Sequence, residues 1–174
     1  MTPSNAVQEP SAATEVRCLH VPVTGGFLLL PNTAVAEVAP LEGIRELPLE
    51  GERPDWLLGG VLWRTLLIPL VSYEAVLGGC APEPGPGTRI AVFNSLSGKP
   101  GLPFFAALSQ GIPRLIRVSE ENLSGEDANL PLVRASIEYH GERGLIPDLD
   151  GLERKLRELG LSIRFEREKL SLRR

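Results

Sequence analysis

Pro54-Asp55-Trp56-Leu57-Leu58-Gly59-Gly60-Val61-Leu62-Trp63-Arg64-Thr65-Leu66-Leu67-Ile68-Pro69-Leu70-Val71 is the stretch on which the fold turns. From Trp56 to Val71 a single charge, Arg64, interrupts a run of apolar residues, Gly, Thr and Pro. A membrane helix needs about 18–20 uninterrupted apolar residues, and three features oppose one here. Arg64 sits mid-run, Gly59-Gly60 breaks helical continuity, and Pro69 removes a backbone donor. The run divides instead into two strand-length pieces, Leu57–Trp63 and Leu66–Val71, with Arg64-Thr65 as the turn between them. Nothing acidic lies beside Arg64 in sequence. Such a cation either keeps the hairpin tip wet or offers a partner a place to dock.

Outside this hairpin the same texture continues. The chain has 174 residues, with 18 glycines and 16 prolines scattered between short apolar runs. That is well above the usual share of about 12% for the two together, and it suits an all-β barrel or sandwich of short strands. The length serves one domain, or two small packed subdomains, with a core that needs no staples. Residues 1–15 are small, polar and proline-containing, so a disordered arm is expected there. They lack the basic-then-apolar pattern of a leader peptide, and a soluble, cytoplasmic protein is expected. Cys18 and Cys80 lie far apart and are expected as free thiols.

Strand pattern begins at Val16, with Leu19, Val21 and Val23 on one face and Cys18, His20 and Pro22 on the other. Thr24-Gly25-Gly26 turns the chain into Phe27-Leu28-Leu29-Leu30. Pro31-Asn32-Thr33 reads as the cap of a single helical turn that places Ala34 and Val38 on one face. Residues 43–54 form a loop. After the hairpin, residues 72–79 read as a short helix stopped by glycine. Residues 80–88 (CAPEPGPGT) read as a linker between two halves, without a phosphate-cradling pattern.

Further strands are expected at 89–93, 102–108, 115–118 and 132–139, the last with Val133, Ala135, Ile137 and Tyr139 on one side. Residues 119–129 read as a solvated acidic loop without the ladder of a calcium site. His140 to Gly144 turns and Leu145-Ile146-Pro147 returns. Asp148 or Asp150 then caps a helix at 151–159, whose Leu152, Leu156 and Leu159 form a stripe and whose stop is Gly160. Residues 161–174 end basic, as a strand or a frayed helix.

No stretch assembles a catalytic or metal site: no nucleophile elbow, dinucleotide fingerprint or ligand cluster is present. An enzyme built from dispersed residues would have His20, His140 and Asp148 as its parts. A nucleic-acid-binding barrel would rest on the arginine-rich tail, against a net charge of −4. A binding module without cofactor is the better reading.

Trp56-Leu57-Leu58-Gly59, then Leu62-Trp63-Arg64, then Leu67-Ile68-Pro69-Leu70-Val71, together with Val35-Ala36-Glu37-Val38 upstream, resemble the CheW-like adaptor family of bacterial chemosensory systems. The likeness runs from about residue 16 to 159, and the block at 35–71 carries its specific part. Leu62 stands where the family usually has asparagine, Thr65 where it has glycine and Ser72 where it has aspartate; 102–108 lacks the family's acidic strand residue. Threonine, being β-branched, resists the left-handed turn that glycine permits, so a different turn geometry is expected.

The resemblance implies an all-β fold of two five-stranded SH3-like barrels on a shared apolar core, spanning 16–160, with a C-terminal helix. It also implies no catalysis, and a scaffold linking chemoreceptor tips to the regulatory domain of a histidine kinase. The receptor-facing positions it implies are Val35, Gly59 and Arg64. Trp63 is added as an aromatic anchor, since Trp and Arg most often dominate interface energetics. The departures suggest a divergent member, of the kind serving type IV pili and twitching motility.

Overall fold

The computed structural model of the chain describes residues 14–161 and the backbone at 164–165. Of the arm expected at 1–15, residues 1–13 lie outside the described residues, as does most of the basic tail. Among the described residues, twelve strands and two α-helices follow in the order β1 (Val16–Val23), β2 (Gly26–Pro31), β3 (Val35–Pro40), β4 (Leu57–Trp63), β5 (Leu66–Val71), α1 (Tyr73–Val76), β6 (Arg89–Asn94), β7 (Phe104–Ser109), β8 (Arg114–Val118), β9 (Leu123–Asp127), β10 (Val133–Tyr139), β11 (Glu142–Pro147), α2 (Leu149–Glu158) and β12 (Arg164–Phe165).

They form two sheets. The first runs β8-β1-β2-β11-β10-β9; the second runs β12-β5-β7-β6-β3, with β4 also paired to β5. Each therefore has six strands where five were expected. β1, β2 and β8–β11 build the first sheet; β3–β7 build the second, with β12 added against β5. Residues 80–88 do not separate these halves, because they join β5 and α1 to β6 within the second sheet.

The apolar runs are continuous because central strands are buried on both faces. In β6, Ala91 and Phe93 enter one cluster while Ile90 and Val92 enter another; in β7, Phe105 and Ala107 alternate likewise with Ala106 and Leu108. The first cluster lies between the sheets, with Val21, Leu28 and Leu30 facing Leu57, Val71 and Phe93, and Leu152 and Leu156 of α2 closing it. The second fills the interior of the second barrel around Trp63, Ile68 and Leu70. A smaller third, with Cys18, Phe27, Leu29 and Ile137, fills the first barrel. In β1 the two faces separate as expected, with Leu19, Val21 and Val23 on the shared core and Cys18 in the third cluster.

Four local expectations are corrected. The helical turn expected to carry Ala34 and Val38 on one face does not run on past Ala34: a 3-10 turn over Asn32–Ala34 carries no side-chain cap bond, and β3 begins at Val35. Val35 and Val38 suit a strand, and pairing with β6 decides the matter. The acidic segment 119–129 contains β9, an exposed strand paired to β10. The turn after β10 is only His140-Gly141, both at positive φ, so β11 begins at Glu142. α2 starts at Leu149 because Asp148, and not Asp150, accepts the capping bond from the Gly151 amide. Ser72 caps α1 by accepting from the Ala75 amide, and both cysteines are unpaired.

Candidate functional site

β4 and β5 pair antiparallel with Trp63 opposite Leu66, leaving Arg64-Thr65 as a two-residue turn. Both residues have positive φ, 46° and 70°, the signature of a type I′ turn. Threonine thus takes the left-handed conformation that its branching resists. The right-handed twist of the two flanking strands favours this turn type, and the strands are held by the barrel core, so the backbone overrides the side-chain preference.

The turn carries Arg64 outward, and the structure supplies the acid that sequence did not place beside it. Glu37 on β3 accepts from the Arg64 guanidinium at 2.8 Å, and the same carboxylate oxygen accepts from the Trp63 indole Nε1–H at 3.0 Å. A bulge lies between Val35 and Glu37, an irregularity that re-aims side chains along a strand. Val35 packs against the core between the sheets, while Glu37 reaches the second barrel's tryptophan. The Arg64 guanidinium also lies over the Trp63 ring, 4.7 Å from its centroid, a cation–π contact. Even so, the Arg64 side chain is 68% exposed. It is a braced surface cation.

Trp63 does not present a free ring. It is 7% exposed, packs edge-on to Phe104 at 4.8 Å and belongs to the second barrel's core. The anchor expected of Trp63 is therefore corrected to an internal support beneath Arg64. Its indole would have been stranded without an acceptor, and Glu37 provides one. Gly59 lies at the other end of β4, about 13 Å along the strand from the turn, at a second bulge. Its φ is 142°, and a Cβ there would meet the Arg45 carbonyl oxygen at 2.5 Å and Ile44 Cγ2 at 2.9 Å. Only glycine lets the strand pass the 44–45 segment, to which Gly60 is bonded through Arg45. The structure brings Trp63 and Arg64 together on Glu37, and leaves Gly59 apart as a backbone position.

A shallow groove of about 350 Å³ adds what the sequence reading missed. Thr33 and Ala34, just before Val35, line it together with Leu29 and Leu30 of β2, Leu96 from the β6–β7 connection and Leu149 of α2. Leu96 is 47% exposed. Arg134, Asp148 and Asp150 form an ion-paired cluster beside it, with nitrogen–oxygen distances of 3.2 and 2.9 Å. No short motif announces this groove, because its walls come from segments more than a hundred residues apart.

The residues that an enzyme would have used are engaged otherwise. His20 is buried, stacks on Phe27 at 4.1 Å and contacts Glu142 at 3.1 Å. His140 sits in a turn against Tyr139, and Asp148 caps α2. Among the described residues no group of three or more His, Cys, Asp or Glu is placed to hold a metal, and no helix is long and apolar enough to cross a membrane. Burial raises the Cys18 thiol above its ordinary value. Burial, with the Asp148 charge second, does the same to the Tyr73 phenol, whose hydroxyl donates to the Leu132 carbonyl at 3.4 Å.

Comparison with known proteins agrees with this architecture. The fold is similar to that of the scaffolding protein TtCheW from Thermoanaerobacter tengcongensis, with a TM-score of 0.63 and 14% identity over 81% of this chain and 89% of that one. At that identity the likeness speaks for the fold alone. No curated protein matches the chain. A family model for the CheW-like domain matches residues 17–156, and with two SH3-like sheets and a C-terminal helix in place, the chain belongs to the CheW-like domain family.

Proposed function

We propose that the protein is a cytoplasmic, non-catalytic adaptor that couples the cytoplasmic tips of chemoreceptors to the regulatory domain of a histidine kinase. We further assign it to a chemosensory pathway that controls twitching motility through type IV pili. Membership of a scaffold family supports the adaptor role, and the departures at Leu62, Thr65 and Ser72 support a specialised pathway. The observation that carries the receptor contact is Arg64: a cation 68% exposed, yet fixed in direction by Glu37 and Trp63. A preorganised guanidinium loses less entropy on meeting a partner carboxylate than a free one does. Val35 and the neighbouring apolar groove extend the surface for the receptor tip, Trp63 supports it from below, and Gly59 shapes the strand that bears it.

Arg64→Glu tests the reading. The variant should fold normally by circular dichroism, since a charge reversal at a turn tip seldom costs much stability. Capture of a receptor-tip fragment should fall by about tenfold or more, because like charges then meet at the contact. Undiminished capture would remove Arg64 from the interface and the receptor reading with it.

A further inference from the structure

α2 is fastened to both sheets. At its start Arg134 of β10 pairs with Asp148 and Asp150, and the Asp148 amide donates to the Leu132 carbonyl at 2.8 Å. One and two turns later, Glu153 and Arg157 grip the segment 95–102 that joins β6 to β7. Glu153, 2% exposed, accepts from the Ser95 hydroxyl at 2.8 Å, the Leu96 amide at 2.8 Å, the Ser97 amide at 3.3 Å and the Ser97 hydroxyl. It also accepts from Arg157 Nε at 3.0 Å and Nη2 at 2.9 Å. Arg157 donates onward to the carbonyls of Pro100 at 2.8 Å, Lys99 at 2.9 Å and Leu102 at 3.3 Å.

A pair so desolvated is weak evidence for stability, because apolar residues of the same shape often serve as well. What it supplies here is position. The Leu96 amide is bound to Glu153 while the Leu96 side chain forms the second sheet's side of the apolar groove. The facing wall, Leu29, Leu30 and Pro31, belongs to the first sheet. Burial would raise the Glu153 carboxyl, but donors from Ser97, Ser95, Leu96 and Arg157 outweigh it and bring it down to about 2, so the clasp stays ionised at neutral pH.

We propose that Glu153 and Arg157 are positioning residues that set the separation of the groove walls by holding Leu96, and thereby set affinity for the receptor tip. This rests on the groove being part of the receptor surface. Removing Glu153 endangers folding, so the test uses the full chain carrying Ser95→Ala with Ser97→Ala, and separately Arg157→Lys. Both keep a charge pair available and weaken its hold on the loop.

Amide exchange is measured at 95–102 and in β6 and β7, alongside affinity for a receptor-tip fragment and a kinase regulatory-domain fragment. Exchange at Leu96 and Ser97 should quicken by about tenfold with the strands unchanged. Receptor affinity should fall about three- to tenfold with kinase affinity retained. Faster loop exchange with unchanged receptor affinity, while Arg64→Glu still abolishes binding, overturns the positioning role and leaves the adaptor reading standing. Loop exchange that does not change, or that rises equally with the strands, also overturns it, since the pair then holds nothing in particular or holds everything. Loss of no receptor binding in any variant, Arg64→Glu included, brings down the docking reading itself.

Discussion

Two glutamate–arginine pairs of nearly equal length occupy opposite situations in this molecule. Glu37–Arg64 spans 2.8 Å with side chains 37% and 68% exposed; Glu153–Arg157 spans 2.9 Å with side chains 3% and 21% exposed. Water screens the first, so its arginine can exchange one carboxylate for another at little cost. The second is walled off, and every lone pair and N–H in it must find a partner within the protein. The same chemistry is thus a contact in one place and a frame in the other, and burial decides which.

The sharpest way to break this contrast is Glu153→Ala. It leaves Arg157, two serine hydroxyls and two amides without their acceptor, and should cost about 3 kcal/mol or more in urea unfolding. Acid should make the same point without a mutation. A carboxyl whose folded value, about 2, lies below its ordinary 4.5 contributes fully above the ordinary value. That contribution fades as pH falls through the folded one. Up to about 3 kcal/mol should be lost between those limits, and unfolding measured from pH 2 to 6 should show a shallower slope in Glu153→Gln than in the parent.

At the hairpin the expected effects are smaller. Thr65→Gly relieves a left-handed threonine and should stabilise the fold by about 1 kcal/mol, read as a raised midpoint in thermal unfolding. Arg64→Ala should change stability by less than about 0.5 kcal/mol, because Trp63 keeps its bond to Glu37. If that variant cost as much as Glu153→Ala, the two pairs would not differ as described.

Features that depend on near neighbours were legible in advance. The β4–β5 hairpin, the Thr24-Gly25 turn into β2, the short helix after β5 and an aspartate cap at 148 or 150 are each written within a few residues. The short piece at 34–38 misled, because a proline and two polar residues mimic a helix start while the following valines wait for a strand partner. β9 was hidden because an exposed strand on a sheet's rim has no apolar alternation to show. The linker at 80–88 looked like a boundary because proline and glycine mark any long connection, within a sheet or between two. Glu153 and Arg157, four apart on a helix, look in sequence like an ordinary surface pair; Ser95 and Ser97, more than fifty residues away, make them something else.

By itself, then, the order of residues determined the strand character of 57–71, the reversal at Arg64-Thr65 and the helix that follows Asp148. These rest on periodicity, turn chemistry and capping, all short-range. Only the tertiary structure decided that β1 and β2 share one sheet with β8–β11, that Trp63 lies inside, that Glu37 braces Arg64 and that Glu153 is buried. Those outcomes depend on which distant segments come to lie side by side, and burial, which sets the strength of every charge and hydrogen bond, is a property of that packing.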